Sequence, residues 1–472
     1  MPKETSAQAP KLSVFKLVMI ASAFTVSVRN LPMMAETGLY LIFFSIIGVI
    51  AFLIPSALVS AELATGWPKL GGVYAWVKEA FGNRWGFMAI WLQWAQMLFG
   101  MVTILAYVGG SLAFAGAPAL AENNLFIVAV ILITYWAATL LNLRGMQMSG
   151  IISTVCLILG VFIPGALLFV FGLKYLLSGN PIQISLALTF KNLMPPLNQF
   201  STISLLAGFI FVFSGMETSA AHANEVENPQ KNYPIAILWA SIILVVINVI
   251  GSLIVAMVIP QDNINLNSGI MDIFQAFFTI NSIRWMIPVV AILTGFGAIG
   301  QVSTWIVGPV KGLLATAQDG NLPPFLARVN RNGIPTTLLI IQASLVSIIS
   351  LLFVFVPDIN NSFWMLLDLT IFLYLIMYIL MFAAAIYLRY KEPDTPRAYR
   401  IPGGNAGMWL IAGAGILVSL FTIFVGFFPP SQLPSGNLLA FEGFRVIGAV
   451  VMIVIPLIIF RFRKPEWKGK SS

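Results

Sequence analysis

The strongest constraint on this chain is its succession of long apolar stretches. It has 472 residues, 59% hydrophobic and 9% charged, with a mean hydropathy of +0.93, which excludes an ordinary soluble domain. A spanning helix needs about 20 mostly apolar residues, and no ten-residue alternation typical of barrel strands is present. The sequence therefore predicts an all-α membrane protein with twelve spanning segments, at residues 14–34, 39–62, 85–113, 125–142, 149–172, 203–224, 235–259, 286–316, 335–356, 362–388, 407–428 and 440–461.

The basic residues predict how these segments are oriented, because Lys and Arg accumulate in cytoplasmic loops. With a cytoplasmic N-terminus, twenty basic residues fall inside and four outside, the four being Lys174, Lys191, Arg284 and Arg445; Arg29 lies within a segment. Twelve segments then place both termini in the cytoplasm, in the cell (inner) membrane. The net charge of +8 follows from this bias, so nucleic-acid binding is not predicted. No cleavable signal peptide is expected.

Residues that build metal centres and catalytic sites are scarce. The chain has one cysteine, Cys156, and one histidine, His222, so disulfides within the chain are excluded and no metal or cofactor is predicted. We expect Cys156 to be a small buried hydrophobe. An intramembrane enzyme needs a nucleophile with a base, and His222 has only Glu217 and Glu225 beside it. We therefore predict that the protein is not an enzyme and that His222 packs at the inner mouth.

Segment six is interrupted. Residues 209–234 read F-I-F-V-F-S-G-M-E-T-S-A-A-H-A-N-E-V-E-N-P-Q-K-N-Y-P, an apolar run that loosens at Ser214 and Gly215 and carries Glu217 at bilayer depth. A charge there costs roughly 2.5–3.5 kcal/mol on insertion scales and is normally turned inward for function. Broken helices are tolerated where they line a cavity. Glu217 is thus either a structural acid that bonds freed backbone amides or a proton-sensitive group, and the two roles are compatible.

Segment one shares this design, five segments earlier. Ser22, Thr25 and Ser27, followed by Pro32, favour an open backbone. The pattern predicts an inverted five-plus-five repeat with a site at the interface of the repeats. Arg29 has two interpretations: its side chain extends to the outer interface, or it faces the cavity as the partner of a carboxylate.

Further polar groups lie deep in other segments. Gln96 follows Gln93 by three residues on one helical face, which suits bonds between helices or to a ligand. Segment ten carries a second deep acid, Asp368, which could pair with Arg29 and neutralise both. Segment eight is glycine-rich, which permits close packing. Its Ser303 and Thr304 could bind sodium together with carbonyls of segment one.

Four motifs, in this order, resemble the amino acid-polyamine-organocation (APC) superfamily, and within it the glutamate:GABA antiporter family. The resemblance runs from Leu12 to about Phe460. The motifs are S-A-E-L-A-T-G-W-P-K-L-G-G-V-Y-A-W, G-M-E-T-S-A-A-H-A-N-E-V-E-N-P-Q-K-N-Y-P, A-Q-D-G-N-L-P-P-F-L-A-R-V-N-R-N-G-I-P and P-R-A-Y-R-I-P-G-G.

This resemblance implies a LeuT-type fold of ten core helices plus two, with alternating access to a central amino-acid site between helices one, three, six, eight and ten. It implies that exposed amides near the first break hold the α-carboxylate and that carbonyls near both breaks hold the ammonium group, in keeping with the partial charges of helix ends. Glu217 matches the family's acid. By position, the breaks fall on Thr25, Val26 and Ser27 and on Phe213, Ser214 and Gly215.

The sequence also departs from the family it resembles. Arg29 stands where the exchangers carry a tyrosine, Gln301 where they carry an acid, and Asp368 where they carry a small apolar residue. About a dozen residues follow the last segment, so the C-terminal plug of the acid-resistance member is not expected. Glutamate/GABA specificity and plug-based pH gating are therefore not carried over.

We predict one transmembrane transporter domain over residues 1–472, with tails at 1–12 and 462–472, a ten-helix core at 13–388 and two further helices within 405–461. The predicted function is secondary active transport of an amino acid, or of an amino acid against its amine. Exchange is favoured because the lysine that some superfamily members use for proton coupling is absent from segment five. Proton- or cation-coupled symport is the alternative, and a channel or sensor that retains the fold is the alternative from another class.

The predicted site residues fall into two groups, and the predicted partners are a small amino acid or amine, membrane lipids and, as one option, a second copy of the chain. Glu217 and Asp368 are assigned to proton sensing or gating. The residues assigned to substrate binding are Ser22, Thr25, Val26, Ser27, Arg29, Gln96, Phe213, Ser214, Gly215, Gln301 and Tyr374.

Overall fold

The computed structural model describes residues 12–68, 71–144, 154–219, 226–356, 358–428 and 438–468. Twelve of its helices are long and apolar enough to cross a membrane, which confirms the predicted number of segments. We call them spans 1 to 12: Val14–Ala35, Tyr40–Gly66, Asn83–Ala113, Asn124–Leu143, Thr154–Leu177, Phe200–Ser219, Lys231–Val258, Met286–Gln318, Thr336–Phe355, Ile359–Lys391, Gly404–Val425 and Phe441–Arg461.

Shorter helices connect the spans. The longest are Val73–Phe81, between spans 2 and 3, and Gly269–Ile280, between spans 7 and 8. Span 5 ends at Leu177, five residues beyond the predicted 172, because the apolar helix Ile163–Leu177 continues to that point. The remaining short helices and 3-10 turns are Pro118–Glu122, Phe190–Leu193, Gln261–Asn263, Pro324–Ala327 and Pro465–Trp467.

Span 1 is broken in its middle. The first α-helix, Val14–Thr25, begins at an N-cap in which the Ser13 hydroxyl accepts a bond from the Lys16 amide, and it ends where Val26 turns extended. A 3-10 turn, Val28–Asn30, leads into a second helix, Leu31–Ala35, with a proline in its first turn. Proline is tolerated there because its missing N–H would have had no partner within the helix. The break predicted around residues 25–27 is present.

Span 6 is broken as well. The helix Leu206–Val212 ends at Phe213, and after Ser214 and Gly215 the chain resumes as a 3-10 turn at 216–219. Gly215 has a φ of 102°, a conformation that glycine adopts readily and other residues rarely do. The break therefore depends on a glycine at this position. His222 and Glu225 lie outside the described residues.

Spans 5 and 8 cross in backbone contact, as the glycine-rich sequence of segment eight predicted. A Cβ placed on Gly160 would lie 2.1 Å from the Gly297 Cα, so neither position has room for a side chain. One turn along, a Cβ on Gly300 would lie 2.1 Å from the Cys156 Cβ. Cys156 is a buried free thiol, which confirms its predicted role as a small buried hydrophobe. This crossing fixes span 8 beside the two breaks.

Candidate functional site

The two breaks face each other. A Cβ placed on Gly215 would lie 3.2 Å from the Thr25 Cγ2 and 3.5 Å from the Trp305 Cζ2. The carbonyl that the first break frees belongs to Phe24, and span 8 binds it: the Trp305 indole N–H donates to it at 2.9 Å and the Gln301 amide at 3.4 Å. Span 8 thus holds open the end of the first half-helix.

Between these breaks lies a small cavity, with a volume of about 50 Å³. Spans 1, 3, 6, 8 and 10 all contribute side chains. The lining residues are Phe24, Thr25, Arg29, Asn30, Gln96, Met97, Gly100, Met101, Ile104, Phe211, Val212, Ser214, Gln301, Trp305 and Tyr374.

Glu217 is the centre of a hydrogen-bonded cluster beside the cavity. Its carboxylate accepts bonds from the Tyr374 hydroxyl at 2.5 Å, from the Gln93 amide at 3.1 Å and from the Tyr378 hydroxyl. The Tyr378 hydroxyl in turn accepts a bond from the Gly215 amide at 2.7 Å. The acid therefore reaches the freed amide of the break through a tyrosine, and the cluster ties together spans 3, 6 and 10.

Arg29 is the charged residue of the cavity lining. Its side chain is buried, with 4% of the residue exposed. Its Nη1 donates to the Thr103 hydroxyl at 2.9 Å, and its Nε is buried without a partner among the described residues. The Thr103 hydroxyl donates its own hydrogen to the Gly100 carbonyl at 2.8 Å, so it presents a lone pair to the arginine.

Known proteins resemble this chain over nearly its whole length. A family model described as amino acid permease matches residues 12–466. The chain belongs to the amino acid permease family. An uncharacterized transporter of Legionella pneumophila is 40% identical over 94% of this chain and 95% of its own. A glutamate/gamma-aminobutyrate antiporter of Lactococcus lactis is 34% identical over 95% of this chain and 90% of its own. A probable agmatine/putrescine antiporter of the same species is 26% identical over 96% and 95%.

Family membership confirms the resemblance to the APC superfamily and the LeuT-type fold with broken spans 1 and 6. This permease is a multi-pass membrane protein and a secondary transporter of small molecules, and its relatives are transporters rather than enzymes. The antiporters among them support exchange.

Of the eleven residues predicted to bind substrate, six line the cavity and five do not. Those that line the cavity are Thr25, Arg29, Gln96, Ser214, Gln301 and Tyr374. Ser22, Val26, Ser27, Phe213 and Gly215 are outside its lining. Their contribution to substrate binding stays a prediction.

Those five residues shape the breaks. The Ser22 carbonyl accepts the Val26 amide at 2.8 Å and closes the first half-helix. The Ser27 hydroxyl accepts the Arg29 amide at 3.3 Å. Phe213 packs on span 2, where a Cβ on Gly48 would lie 2.7 Å from its ring.

Two interpretations of Arg29 are wrong. It does not extend to the outer interface, because it is buried in the cavity wall. It does not pair with Asp368, because that carboxylate accepts from the Arg445 Nη1 at 3.2 Å. Arg445 also bonds Glu442 and lies within the helix Leu438–Arg461. Its predicted position on the outer side stays a prediction.

The Ser303 hydroxyl accepts a bond from Asn142 of span 4 at 3.3 Å and is outside the cavity lining. The side chain of Thr304 lies outside the described residues, so the sodium site suggested by the sequence stays a prediction.

Sequence reasoning missed much of the apolar wall. On span 3, the residues Gln96, Met97, Gly100, Met101 and Ile104 all line the cavity. Their spacing of three and four residues is that of one helical face. Extending the face that Gln96 marks would have identified them. Trp305 had no comparable signal, because its role depends on the carbonyl freed 281 positions earlier in the chain.

Proposed function

We propose that this permease exchanges an amino acid for another amino acid, or for its amine, by alternating access through the cavity between spans 1 and 6. The observation that carries the proposal is the convergence of two broken helices on one cavity lined by five spans. Relatives named as glutamate/gamma-aminobutyrate and agmatine/putrescine antiporters support exchange as the mode of transport.

The backbone at the breaks supplies the ligands for the common part of the substrate. A helix C-terminus carries partial negative charge and an N-terminus partial positive charge. The Phe24 carbonyl accepts from Trp305 and, over a longer distance of 3.4 Å, from Gln301, so it is a candidate acceptor for the ammonium group once Gln301 yields. The Ser27 amide is the candidate donor to the α-carboxylate, because the Val26 amide is already bonded to the Ser22 carbonyl. Gln96 and Ser214 complete the polar wall.

In this proposal Glu217 holds spans 3, 6 and 10 together and does not bind the substrate directly. Three donors occupy its carboxylate, and Tyr374 stands between it and the cavity. A substrate that pulls the Tyr374 hydroxyl into the cavity would weaken the cluster and free the second half of span 6 to move. Protonation of Glu217 would have the same effect, because a protonated carboxyl accepts fewer bonds. Asp368 is outside the cavity lining and is paired with Arg445, so we assign it a supporting role.

We further propose a single transporter domain in the cell inner membrane, surrounded by lipids, with both termini cytoplasmic. The Leu12 carbonyl accepts a bond from the Glu227 amide at 3.0 Å. The start of span 1 therefore lies on the same side as the loop before span 7, as this orientation requires. A homodimer is compatible with the exposed faces of spans 11 and 12.

Counterflow in proteoliposomes tests the function. Vesicles holding purified protein are preloaded with a candidate amino acid, and labelled amino acid is supplied outside. We expect the label to accumulate transiently above its outside concentration with preloaded vesicles and not with empty ones. Gly215→Ala should abolish this, because a Cβ at φ 102° strains the break, whereas Gly413→Ala, with open space around its Cβ, should not.

Two results would reject the proposal. Uptake that needs a proton or sodium gradient, and no preloaded amino acid, would identify a symporter. A passive ion current without counterflow would identify a channel.

A further inference from the structure

The charges around the cavity are unbalanced. Among its fifteen lining residues Arg29 alone carries a formal charge, and no aspartate or glutamate is among them. The carboxylate of Glu217 lies behind the Tyr374 hydroxyl, which donates to it. Asp368 is committed to Arg445. The described residues therefore supply the cavity with a cation and with no anion to neutralise it.

The guanidinium of Arg29 is held in place, but several of its N–H donors make no hydrogen bond to the described residues. A guanidinium has five N–H donors, and the one side-chain bond that the described residues give it runs from Nη1 to Thr103. That bond is to a neutral hydroxyl, whose hydrogen is already donated to Gly100. Buried arginines are normally paired with carboxylates, because an uncompensated charge away from water is costly. Arg29 is thus a buried guanidinium that no described carboxylate neutralises.

We propose that Arg29 is a specificity-determining residue that makes this cavity select substrates with a net negative charge, namely acidic amino acids whose side-chain carboxylate is ionised. The inference rests on the proposed function, in which the breaks bind the ammonium and α-carboxylate groups. The second carboxylate then neutralises Arg29 through two parallel N–H···O bonds, the geometry that a guanidinium favours.

The same arrangement excludes amines. A substrate that carries two positive groups and no carboxylate brings positive charge to a cavity whose one charged side chain is already positive. It would also leave Arg29 without a counter-ion. This permease should therefore reject agmatine and putrescine, the substrates that the name of one relative carries.

Exchange in proteoliposomes at pH 7 tests the proposal with glutamate, its neutral isostere glutamine, and gamma-aminobutyrate. We expect the wild type to prefer glutamate over glutamine by at least tenfold in kcat/KM. It should exchange gamma-aminobutyrate less well than glutamate, because gamma-aminobutyrate keeps the carboxylate for Arg29 but lacks the α-carboxylate that the first break binds. Arg29→Gln should lose the preference through a rise in KM for glutamate, with exchange of glutamine maintained. Arg29→Lys should retain part of the preference, because it keeps the charge and loses the fork. Arg331→Gln, an exposed arginine on the inner loop, is the matched control and should behave as the wild type.

Thermal stabilisation of the purified wild type provides a second readout that needs no variant. Glutamate should raise the unfolding temperature more than glutamine does, and its advantage should fade as the pH drops below about 4.3, where its side chain protonates. If Arg29→Gln keeps the glutamate preference, or if the wild type prefers glutamine or gamma-aminobutyrate, the proposal is wrong although exchange itself stands. Failure to exchange any amino acid would instead reject the proposed function.

Discussion

Two buried arginines of this permease have opposite surroundings. Arg389, near the C-terminal end of span 10, is 1% exposed and donates from Nε and Nη2 to the two carboxylate oxygens of Glu62 at 2.6 and 2.7 Å. Its Nη2 also donates to the Ile401 carbonyl at 3.0 Å. Arg29, 4% exposed, makes one side-chain bond to the described residues, and its acceptor is a neutral threonine. Among the described residues, one guanidinium therefore has a carboxylate partner and the other has none.

The difference teaches what each arginine does. The Glu62 carboxylate also accepts the Ile401 amide at 2.8 Å and lies 3.6 Å from the Arg397 Nε. It therefore clamps span 2, span 10 and the loop before span 11 at one point, which is a structural task. A group kept for a ligand must instead leave its bonding capacity open until the ligand arrives. Arg29 meets that description.

The largest effect is expected from breaking the clamp. Glu62→Gln leaves the buried Arg389 without its carboxylate partner, and removing one partner of a buried ion pair typically costs about 3–5 kcal/mol. We expect a large drop in the unfolding temperature measured in detergent, with reduced yield of folded protein. Arg29→Gln should change the unfolding temperature little or raise it, because it removes an uncompensated charge. Equal drops in the unfolding temperature of the two variants would show that Arg29, like Glu62, has a structural role.

A smaller loss is expected at Glu217, which is buried with neutral donors rather than with an arginine. Hydrogen bonds to a charged group are worth about 1.5–3 kcal/mol each, and Glu217→Gln keeps one amide oxygen as an acceptor. We expect a loss of about 2–3 kcal/mol by thermal unfolding, and slower exchange because the break is less well held. Tyr378→Phe removes the link between the carboxylate and the Gly215 amide and should reproduce the transport defect. Normal exchange in both variants would contradict the role of the cluster.

The sequence was sufficient for the spans and their breaks but not for these pairings. The length of an apolar stretch and the placement of Gly215 or Pro32 are local properties, so spans 1 to 12 and both interruptions follow from reading along the chain. Pairings are set by tertiary packing. Glu62 lies 327 positions from Arg389, and nothing in the spacing of charges indicates which acid a given arginine meets.

Asp368 and Arg445 illustrate the same limit. Two deep charges of opposite sign, Arg29 and Asp368, suggested a pair, whereas the nearer guanidinium belongs to a helix that follows 77 positions later. The glutamines of span 3 show what the sequence does reveal. Gln96 lies on the helical face that lines the cavity, while Gln93 binds Glu217. Residue type and depth identify candidate site residues, and only the packing of five spans decides which of them share a cavity.

Arg445 contacts two carboxylates, those of Asp368 and Glu442. Replacing one of these acids should therefore destabilise the protein less than replacing Glu62. Asp368→Asn leaves Arg445 with the carboxylate of Glu442 and with the Phe427 ring 4.5 Å from the guanidinium. We expect a loss of about 1–2 kcal/mol, of the order of one net hydrogen bond, with exchange activity retained. A loss as large as that of Glu62→Gln would mean that Glu442 does not serve as a counter-ion. Loss of exchange with normal stability would assign Asp368 to transport.

The smallest effect is a pH dependence at Glu36, a buried carboxyl just beyond the end of span 1 and 8% exposed. Burial raises the pKa of Glu36 from 4.5 to about 8, so this carboxyl binds a proton at neutral pH. Glu62, by contrast, is paired with an arginine. The folded state then holds a proton that the unfolded chain has released, and stability falls as the pH rises toward and through 8. Linkage gives about 1 kcal/mol of lost stability between pH 7 and pH 8. In that window the carboxyl of Asp272, with a pKa of about 6, is already ionised. Thermal unfolding of the wild type should show this slope, and Glu36→Gln should remove it; a slope that persists in the variant would assign it to another group.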